Sequence, residues 1–233
     1  MGKAFGESHS DPFGERNPLH GEAGAGWAKL IDALGPASLI VIINRRMEVS
    51  LRRKVAAEDV LQDALLLAWR DRAQCDWRGL RSFRSWLLTL IDHRIVDLAK
   101  HHAAAKRDSS VPVLSLAGPA AFGMSDVPME VAASTTPSRL GIHREQAQRM
   151  QAALDSLPED HRTVVFMRLF EQRTVSQIAA MLGTTEKTVR YRFYKGAELF
   201  RARLRTLVSS RWTRRAESGA EPAGEIASED GES

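Results

Sequence analysis

A set of basic and aromatic side chains near the C-terminal end of the chain has the spacing of one helical face. Lys187, Arg190, Tyr191, Tyr194 and Lys195 recur at intervals that keep them together on a helix. Cations bind phosphates and guanine edges, and aromatic rings contact bases, so the types of residue on this face suit a nucleic acid. The other face of the same helix is an apolar stripe of Val189, Phe193, Ala197, Phe200, Leu204 and Leu207.

The residues just before this helix predict a second, shorter helix and a tight turn. Thr174 and Gln177 have the spacing of a capping box, which starts a helix at that point. Gly183 ends the helix, because the residue after a helix end often needs a positive φ, and Thr184 or Thr185 can cap the next one. The apolar face of the short helix is predicted to be Ile178, Met181 and Leu182.

A small residue, a glycine and a valine complete the pattern of a helix-turn-helix. Ala179 lets the two helices approach, Gly183 makes the turn, and Val189 packs the second helix on the first. The sequence pI of about 9.5 agrees with an acidic partner. Between Glu186 and Arg215 there are ten Lys or Arg and two Glu, whereas Ala216–Ser233 has six acidic residues and no basic ones. The motif therefore predicts binding to DNA, and the acidic tail is interpreted as a solvated segment.

The sequence offers little for catalysis, metal binding or membrane insertion. Cys75 is the single cysteine, so one chain has neither a disulfide nor a cysteine-based zinc site. No apolar run approaches the ~18–20 residues that span a bilayer, and the N-terminus has no apolar core of a signal peptide. We find no nucleophile–base pair and no phosphate loop. We therefore expect a cytoplasmic, soluble protein without a cofactor and without enzymatic activity.

Helical periodicity and composition predict an all-α fold of two small domains. No segment shows strand-like alternation. The domain at 27–107 follows an N-terminal extension, 1–26, that is read as disordered. The segment 108–141, rich in Pro, Gly, Ser and Ala, is predicted to be a flexible linker that lets the modules sit apart. The second domain is 142–211 and the acidic disordered tail is 212–233.

Two helices of the N-terminal domain carry side chains that could bind a partner. The helix near Ala57–Arg72 has Asp59, Gln62, Asp63 and Leu66 on the face opposite its apolar stripe, which is equally consistent with a partner site and with a solvated surface. The helix near Ser85–His102 has a face that we favour as a second nucleic-acid surface, because rings stack on unpaired bases and cations hold phosphates. This face is Trp86, Thr89, His93 and Lys100, with Arg94 beside it.

The interpretation of the Trp86 face as a nucleic-acid surface has two competitors. Trp86 could simply belong to the core of the domain. His93 and Asp97 are four residues apart, as two metal ligands on a helix would be, but no third ligand is found, so a metal is not predicted.

Three stretches, in this order and spacing, resemble sigma factors of bacterial RNA polymerase of the extracytoplasmic-function (ECF) group. AAEDVLQDALLLAW (Ala56–Trp69) and FRSWLLTLIDHRIVDLAK (Phe83–Lys100) are similar to signatures of sigma region 2. The stretch from Leu154 to Leu204, with its L-P-x-x-x-R and helix-turn-helix, is similar to sigma region 4. The chain departs from the family pattern at Asp92 and His93, where a basic residue and Asn are usual, and at Tyr191 and Gly196, where a small residue and Ala are common.

The resemblance implies a promoter-specificity subunit and gives roles to individual residues. Core polymerase, through its beta-prime clamp and beta flap, and promoter DNA would be the partners, with an anti-sigma factor as a further one. Contacts with the clamp would come from Glu58, Asp59, Gln62, Asp63 and Leu66. The melted minus-ten strand would be held by Trp86, His93, Arg94 and Lys100. The minus-thirty-five element would be read or held by Thr185, Lys187, Thr188, Arg190, Tyr191, Arg192, Tyr194 and Lys195.

Two other classes of protein fit part of the pattern. An ordinary helix-turn-helix regulator would use the N-terminal half as a sensory or dimerisation domain, but it has no reason to carry the Ala56–Trp69 face. A binding module such as an adaptor would give no promoter-dependent transcription.

Overall fold

The chain is all-helical where the structure, a computed structural model, describes it: residue 13 and residues 17–19, 25–107 and 137–217. The N-terminal module consists of α1 (Ala25–Leu34), α2 (Pro36–Arg46), α3 (Val49–Arg52), α4 (Ala57–Arg70), a 3-10 turn (Arg72–Gln74) and α5 (Leu80–Arg107). The C-terminal module consists of α6 (Pro137–Asp155), α7 (Glu159–Val165), a π-helical segment (Phe166–Phe170), α8 (Val175–Leu182) and α9 (Glu186–Glu217). Most of the N-terminal extension, the linker residues 108–136 and the tail residues 218–233 lie outside the described residues.

The predicted all-α class is confirmed, and the differences lie at helix ends. Helix α5 begins at Leu80 rather than near Ser85, and α6 begins at Pro137, within the segment 108–141 that is predicted to be a linker. Helix α7 is followed directly by π geometry from Phe166, so that this last turn is wider than an α-helical one. The prediction of the apolar face of α8 is wrong at Met181. This side chain is 52% exposed, because nothing in the described part of the chain covers that side of the helix.

Aromatic and aliphatic side chains from α1, α4 and α5 form the core of the N-terminal module. Trp27 is fully buried, and its ring meets those of Trp69 and Phe83 edge-on at centroid distances of 5.2 and 6.0 Å. Edge-to-face pairs of this kind stabilise a core beyond the area that they bury. Leu19, in the segment predicted to be disordered, is also buried in this core.

Helix α2 connects the two modules because it is apolar on every side. All five residues from Leu39 to Ile43 are buried, which a surface helix would not allow. One side of α2 packs on α4, and another packs on α6 of the C-terminal module. Ala147, Leu154 and Phe170 of the C-terminal module are consequently part of the same continuous core as α2. Although the linker prediction implies modules that sit apart, the structure holds them together.

Candidate nucleic-acid interface

The helix-turn-helix is built by the local interactions that the sequence predicts. Thr174 Oγ1 accepts from the backbone N–H of Gln177 at 3.2 Å, and Gln177 Oε1 accepts from the N–H of Thr174 at 2.9 Å. Gly183 has φ 59°, a left-handed conformation that glycine adopts without strain. Ile178 and Val189 are buried together in a small core under the turn. The orientation of α9 is therefore fixed by packing and capping on the side away from its basic face.

Helix α9 presents most of its predicted DNA-binding side chains to solvent. Thr185 Oγ1 accepts from the N–H of Thr188 at 3.2 Å, so Thr185 caps the helix. Tyr191 and Tyr194 are 67% and 56% exposed, so both rings are accessible to a ligand. The other exposed members of the set are Thr185, Lys187, Arg190 and Lys195.

The ion pairs of α9 show which cations can readily exchange their partner for DNA and which one supports the fold. Among the described residues, Arg190 and Lys195 pair only with carboxylates on their own helix, Glu186 at 2.7 Å and Glu198 at 3.2 Å. Such exposed pairs are weak and can be exchanged for phosphates at little cost. Arg192 instead reaches Asp160 on α7 at 2.6 Å and is only partly exposed. We infer that Arg192 mainly holds α9 on α7.

A glycine in α9 allows the helix to lie close to α7. A Cβ atom added at Gly196 would come within 2.7 Å of Val165 Cγ2 and 3.1 Å of His161 Cβ. Atoms do not approach so closely without displacement of the neighbour, so the alanine common at this position in the family does not fit here. The glycine therefore lets the recognition helix cross α7 at short distance.

The predicted nucleic-acid face of α5 is less uniform than that of α9. His93 and Lys100 are exposed, whereas Trp86 is half-buried and its ring lies 5.6 Å from that of Phe83. Trp86 therefore joins the edge of the core and keeps part of its surface accessible. Arg94 donates to Asp63 Oδ2 from Nε at 2.9 Å and from Nη2 at 2.7 Å.

The acidic face of α4 is likewise partly engaged within the chain. Asp63 is the partner of Arg94, although the two residues are predicted to bind different macromolecules. Glu58 lies 3.4 Å from Arg144 of α6 and its side chain is only 15% exposed. Asp59 is exposed and has no ion-pair partner among the described residues, while Gln62 and Leu66 are half-buried. Asp59 is thus the most available carboxylate of this face.

Sequence reasoning missed a buried arginine at the base of α5. Arg84 is 4% exposed and donates at 2.8 Å to the carbonyl oxygens of both Leu34 and Phe170. Burial, with a smaller effect of the nearby Arg46 charge, lowers the pKa of Arg84 to about 10. The available signal was an arginine inside the apolar stripe that continues through Leu87. A charge at such a position is retained only with buried hydrogen-bond partners.

The structure also accounts for the acidic residue at Asp92. Its carboxylate accepts from Arg46 at 2.7 Å, and Arg46 also lies 3.8 Å from Glu171 of the C-terminal module. Asp92 therefore positions an arginine of α2. The neighbouring His93 is exposed.

The described residues contain no candidate metal cluster and no single membrane-spanning helix. No cluster of three or more His, Cys, Asp or Glu side chains that could hold a metal is found among them. Burial is the main cause of a raised pKa of the Cys75 thiol, which lies in the core. Within the same residues no single helix is long and apolar enough to cross a membrane, and Gly26–Leu34 with Pro36–Arg46 reach that measure only as a pair bent by 55°.

Comparisons with known proteins identify both modules. The family model described as Sigma-70 region 2 matches residues 38–105, and that described as Sigma-70, region 4 matches residues 147–205. ECF RNA polymerase sigma factor SigK of Mycolicibacterium vanbaalenii is 28% identical over 152 residues, which are 65% of this chain and 70% of the relative. RNA polymerase sigma-H factor of Pseudomonas aeruginosa is 28% identical over 152 residues, 65% of this chain and 75% of the relative. SigW of Bacillus subtilis is 24% identical over 151 residues, 65% and 76% of the two chains.

The two modules, with a helix-turn-helix at the end of the second, define a transcription initiation factor. The chain belongs to the sigma-70 family and, within it, to the ECF type of RNA polymerase sigma factor. The function that the two matches support is promoter-directed initiation of transcription by RNA polymerase.

Proposed function

We propose that the chain binds core RNA polymerase through both modules, contacts a minus-ten and a minus-thirty-five element, and helps to open the duplex between them. The observation that carries this proposal is the exposed face of α9, with two open tyrosines beside weakly paired cations on a helix-turn-helix. RNA synthesis itself is assigned to the polymerase.

Helix α9 supplies the minus-thirty-five contacts in this proposal. Arg190 and Lys195 bind guanine edges or phosphates, and Tyr191 and Tyr194 contact thymine methyl groups. Lys187 and Thr188 hold the backbone. The amide end of α9, where Thr185 is the cap, adds favourable electrostatics for a phosphate.

The N-terminal module supplies the other contacts. His93, Lys100 and the accessible part of Trp86 meet the unpaired minus-ten strand, joined by Arg94 once it leaves Asp63. Asp59, with Gln62, Leu66 and the carboxylates of Glu58 and Asp63, docks on the beta-prime clamp. The beta flap and an anti-sigma factor are proposed as partners of the C-terminal module and of the whole chain.

Runoff transcription tests this function directly. The purified chain is added to core polymerase with the DNA upstream of its own gene as template, and we expect a transcript that core polymerase alone does not make. DNA binding without a transcript would favour the helix-turn-helix regulator, and the absence of both would favour an adaptor. The chain with Arg190→Ala is the matched control for promoter dependence, because it should still bind polymerase.

A further inference from the structure

Part of the N-terminal extension packs on the N-terminal module. Leu19 is 4% exposed in the core of the module, and its N–H donates to Asn17 Oδ1 at 2.9 Å, which makes a turn around Pro18. Gly26 of α1 allows this turn to lie close, because a Cβ there would be 3.0 Å from the carbonyl oxygen of Pro18. The extension is therefore anchored to the module just before α1.

Phe13, further toward the N-terminus, packs on the loop 75–79 that leads into α5. Its ring meets that of Trp77 edge-on at a centroid distance of 6.0 Å, and the Trp77 ring lies 6.2 Å from that of Phe83 in the core. Phe13 is itself partly buried against this core. We name Phe13 and residues 17–19 the N-terminal strap. The Trp77 ring is therefore held by the strap and by the core together.

Few other interactions determine the position of this loop. The backbone N–H and C=O groups of Asp76, Trp77 and Arg78 have no hydrogen-bond partner in the described part of the chain. The indole N–H of Trp77 is also buried without a partner there. Arg78 pairs with Asp76, but both side chains are at least 70% exposed and belong to the loop itself. Because a loop with few backbone hydrogen bonds opens at a low free energy, the packing of Trp77 decides whether it stays ordered.

The loop leads directly into the face proposed for the unpaired minus-ten strand. The ring of Phe83 contacts those of both Trp77 and Trp86, at centroid distances of 6.2 and 5.6 Å. Trp86 is the partly accessible ring of that face, so its position depends on the same aromatic cluster as Trp77. Gly79 has φ 96°, which allows the chain to turn from the loop into α5. A displaced loop would consequently disturb the start of α5 together with the cluster.

We propose that the N-terminal strap positions the minus-ten face: Phe13 holds Trp77, and through it the loop and the ring of Trp86, in the arrangement that receives the unpaired strand. This inference rests on the proposed function. Phe13 is a positioning residue and does not itself contact DNA. A base stacks at lower cost on a ring that is already fixed than on one that must be ordered when the strand binds. Loss of the strap should therefore weaken capture of the unpaired strand and leave duplex recognition by α9 unchanged.

The native thiol of Cys75 reports the order of the loop in the full chain. Cys75 is the single cysteine, lies at the start of the loop and is 8% exposed, so it reacts with a thiol reagent only when the loop or the module opens. We expect Phe13→Ala to speed labelling of Cys75 about tenfold at constant pH, because the edge-to-face ring pair is lost. Phe13→Tyr keeps the ring and should keep the slow rate. Labelling of Cys75 at one rate in Phe13→Ala and in the unaltered chain would overturn the proposal.

Two further variants separate the strap from general destabilisation. Phe200→Ala is the matched control, since Phe200 is also a half-buried ring that meets a neighbour edge-on, Phe170 at 6.2 Å in the C-terminal module. It should leave the labelling rate of Cys75 unchanged. Gly26→Val displaces the strap at Pro18 without removing a ring and should speed labelling several-fold. Urea unfolding of each variant gives the rate expected from global unfolding alone, and labelling no faster than that rate in Phe13→Ala and Gly26→Val would overturn a local role of the strap.

The effect on DNA is read from polymerase assembled with each variant, on the duplex upstream of the chain's own gene. Permanganate reactivity of thymines measures the unpaired bases. Phe13→Ala should lower the opened fraction several-fold, with binding to core polymerase and to a duplex of the minus-thirty-five region unchanged, and Phe13→Tyr should open the duplex like the unaltered chain. Unchanged opening by Phe13→Ala, or equal losses of opening and of duplex binding, would overturn the positioning role. Failure of the sigma-factor function gives a different result, because the unaltered chain would then make no runoff transcript while the Cys75 rates still decide whether the strap holds the loop.

Discussion

The proposed DNA-binding face of α9 and the proposed binding faces of α4 and α5 differ in what their side chains contact. On α9, Arg190 and Lys195 pair with carboxylates of the same helix, and Tyr191 and Tyr194 are 67% and 56% exposed. On α4 and α5 some of the corresponding groups are engaged, since Asp63 pairs with Arg94 and Glu58 pairs with Arg144 of the other module. The face of α9 is therefore ready to bind, whereas part of the other face has to exchange partners first.

This difference separates two kinds of energetic cost. Exposed pairs within a helix contribute about 0.3–0.5 kcal/mol, so α9 can give them up for phosphates without a change of shape. Breaking the Asp63–Arg94 pair removes a contact between α4 and α5, and breaking the Glu58–Arg144 pair removes a contact between the modules.

The largest effect is expected at Gly196, because the DNA-binding helix α9 depends there on close packing against α7. Gly196→Val would place side-chain atoms in the space of Val165 and His161, since even a Cβ would lie 2.7 Å from Val165 Cγ2. We expect a loss of several kcal/mol in the free energy of unfolding of the C-terminal module, measured by thermal or urea unfolding. DNA binding should fall with it.

Gly141→Ala is the matched control for this experiment. It is also a helical glycine, in α6, but a Cβ there meets nothing within 4 Å. This variant should be more stable by about 0.5–1 kcal/mol, because alanine is the better helix former. Equal effects at both glycines would show that close packing at Gly196 is unimportant.

The second effect concerns recognition rather than stability. Arg190→Ala removes a cation whose contact with a base edge is worth about 1–3 kcal/mol, so transcription from the cognate promoter should fall roughly 10- to 100-fold. Binding to core polymerase should be nearly unchanged. Arg205→Ala, an exposed arginine four turns further along α9, should have a much smaller effect on promoter use. Loss of polymerase binding by Arg190→Ala would contradict the role given to the helix.

The third effect compares two carboxylates on the face that has to exchange partners. Asp59 is exposed without an ion pair in the described part of the chain, whereas Asp63 must leave Arg94 before it can bind polymerase. Asp59→Asn should therefore weaken polymerase binding more than Asp63→Asn, by up to about 1 kcal/mol. Competition assays with the two variants measure this difference. A larger loss at Asp63 would mean that its pair with Arg94 already has the geometry that polymerase requires.

Local rules explain why the helix-turn-helix could be predicted in detail. The cap at Thr174, the turn at Gly183 and the cap at Thr185 each depend on residues three to five positions away, and all three were confirmed. The same rules failed at Met181, because helical period alone does not say how much of an apolar face a small module can cover.

The contact between the modules could not be predicted in the same way. Arg84 donates to carbonyls 50 and 86 residues away, and Gly196 is explained by Val165 on another helix. The run Leu39–Ile43 is apolar on all sides, which indicates burial but does not identify the helix that covers it. Long-range partners of this kind are decided by tertiary packing, and one sequence holds no record of them. The roles of individual residues toward DNA and polymerase remain predictions.

The smallest effect tests whether a further part of the chain makes the face of α9 less accessible. Residues Ala216–Ser233 contain six acidic residues and no basic ones, and they follow a helix with ten Lys or Arg. Opposite charges on one chain attract over about a Debye length of ~8 Å at physiological ionic strength, so the tail should compete weakly with DNA. Deletion of Ala216–Ser233 should tighten binding of the free chain to a promoter duplex by a few-fold at low salt, with little change at high salt. A full-length variant with Gln and Asn at the six acidic positions separates charge from length, because it should reproduce the deletion. An affinity for DNA that is unchanged in both variants would show that the tail does not shield α9.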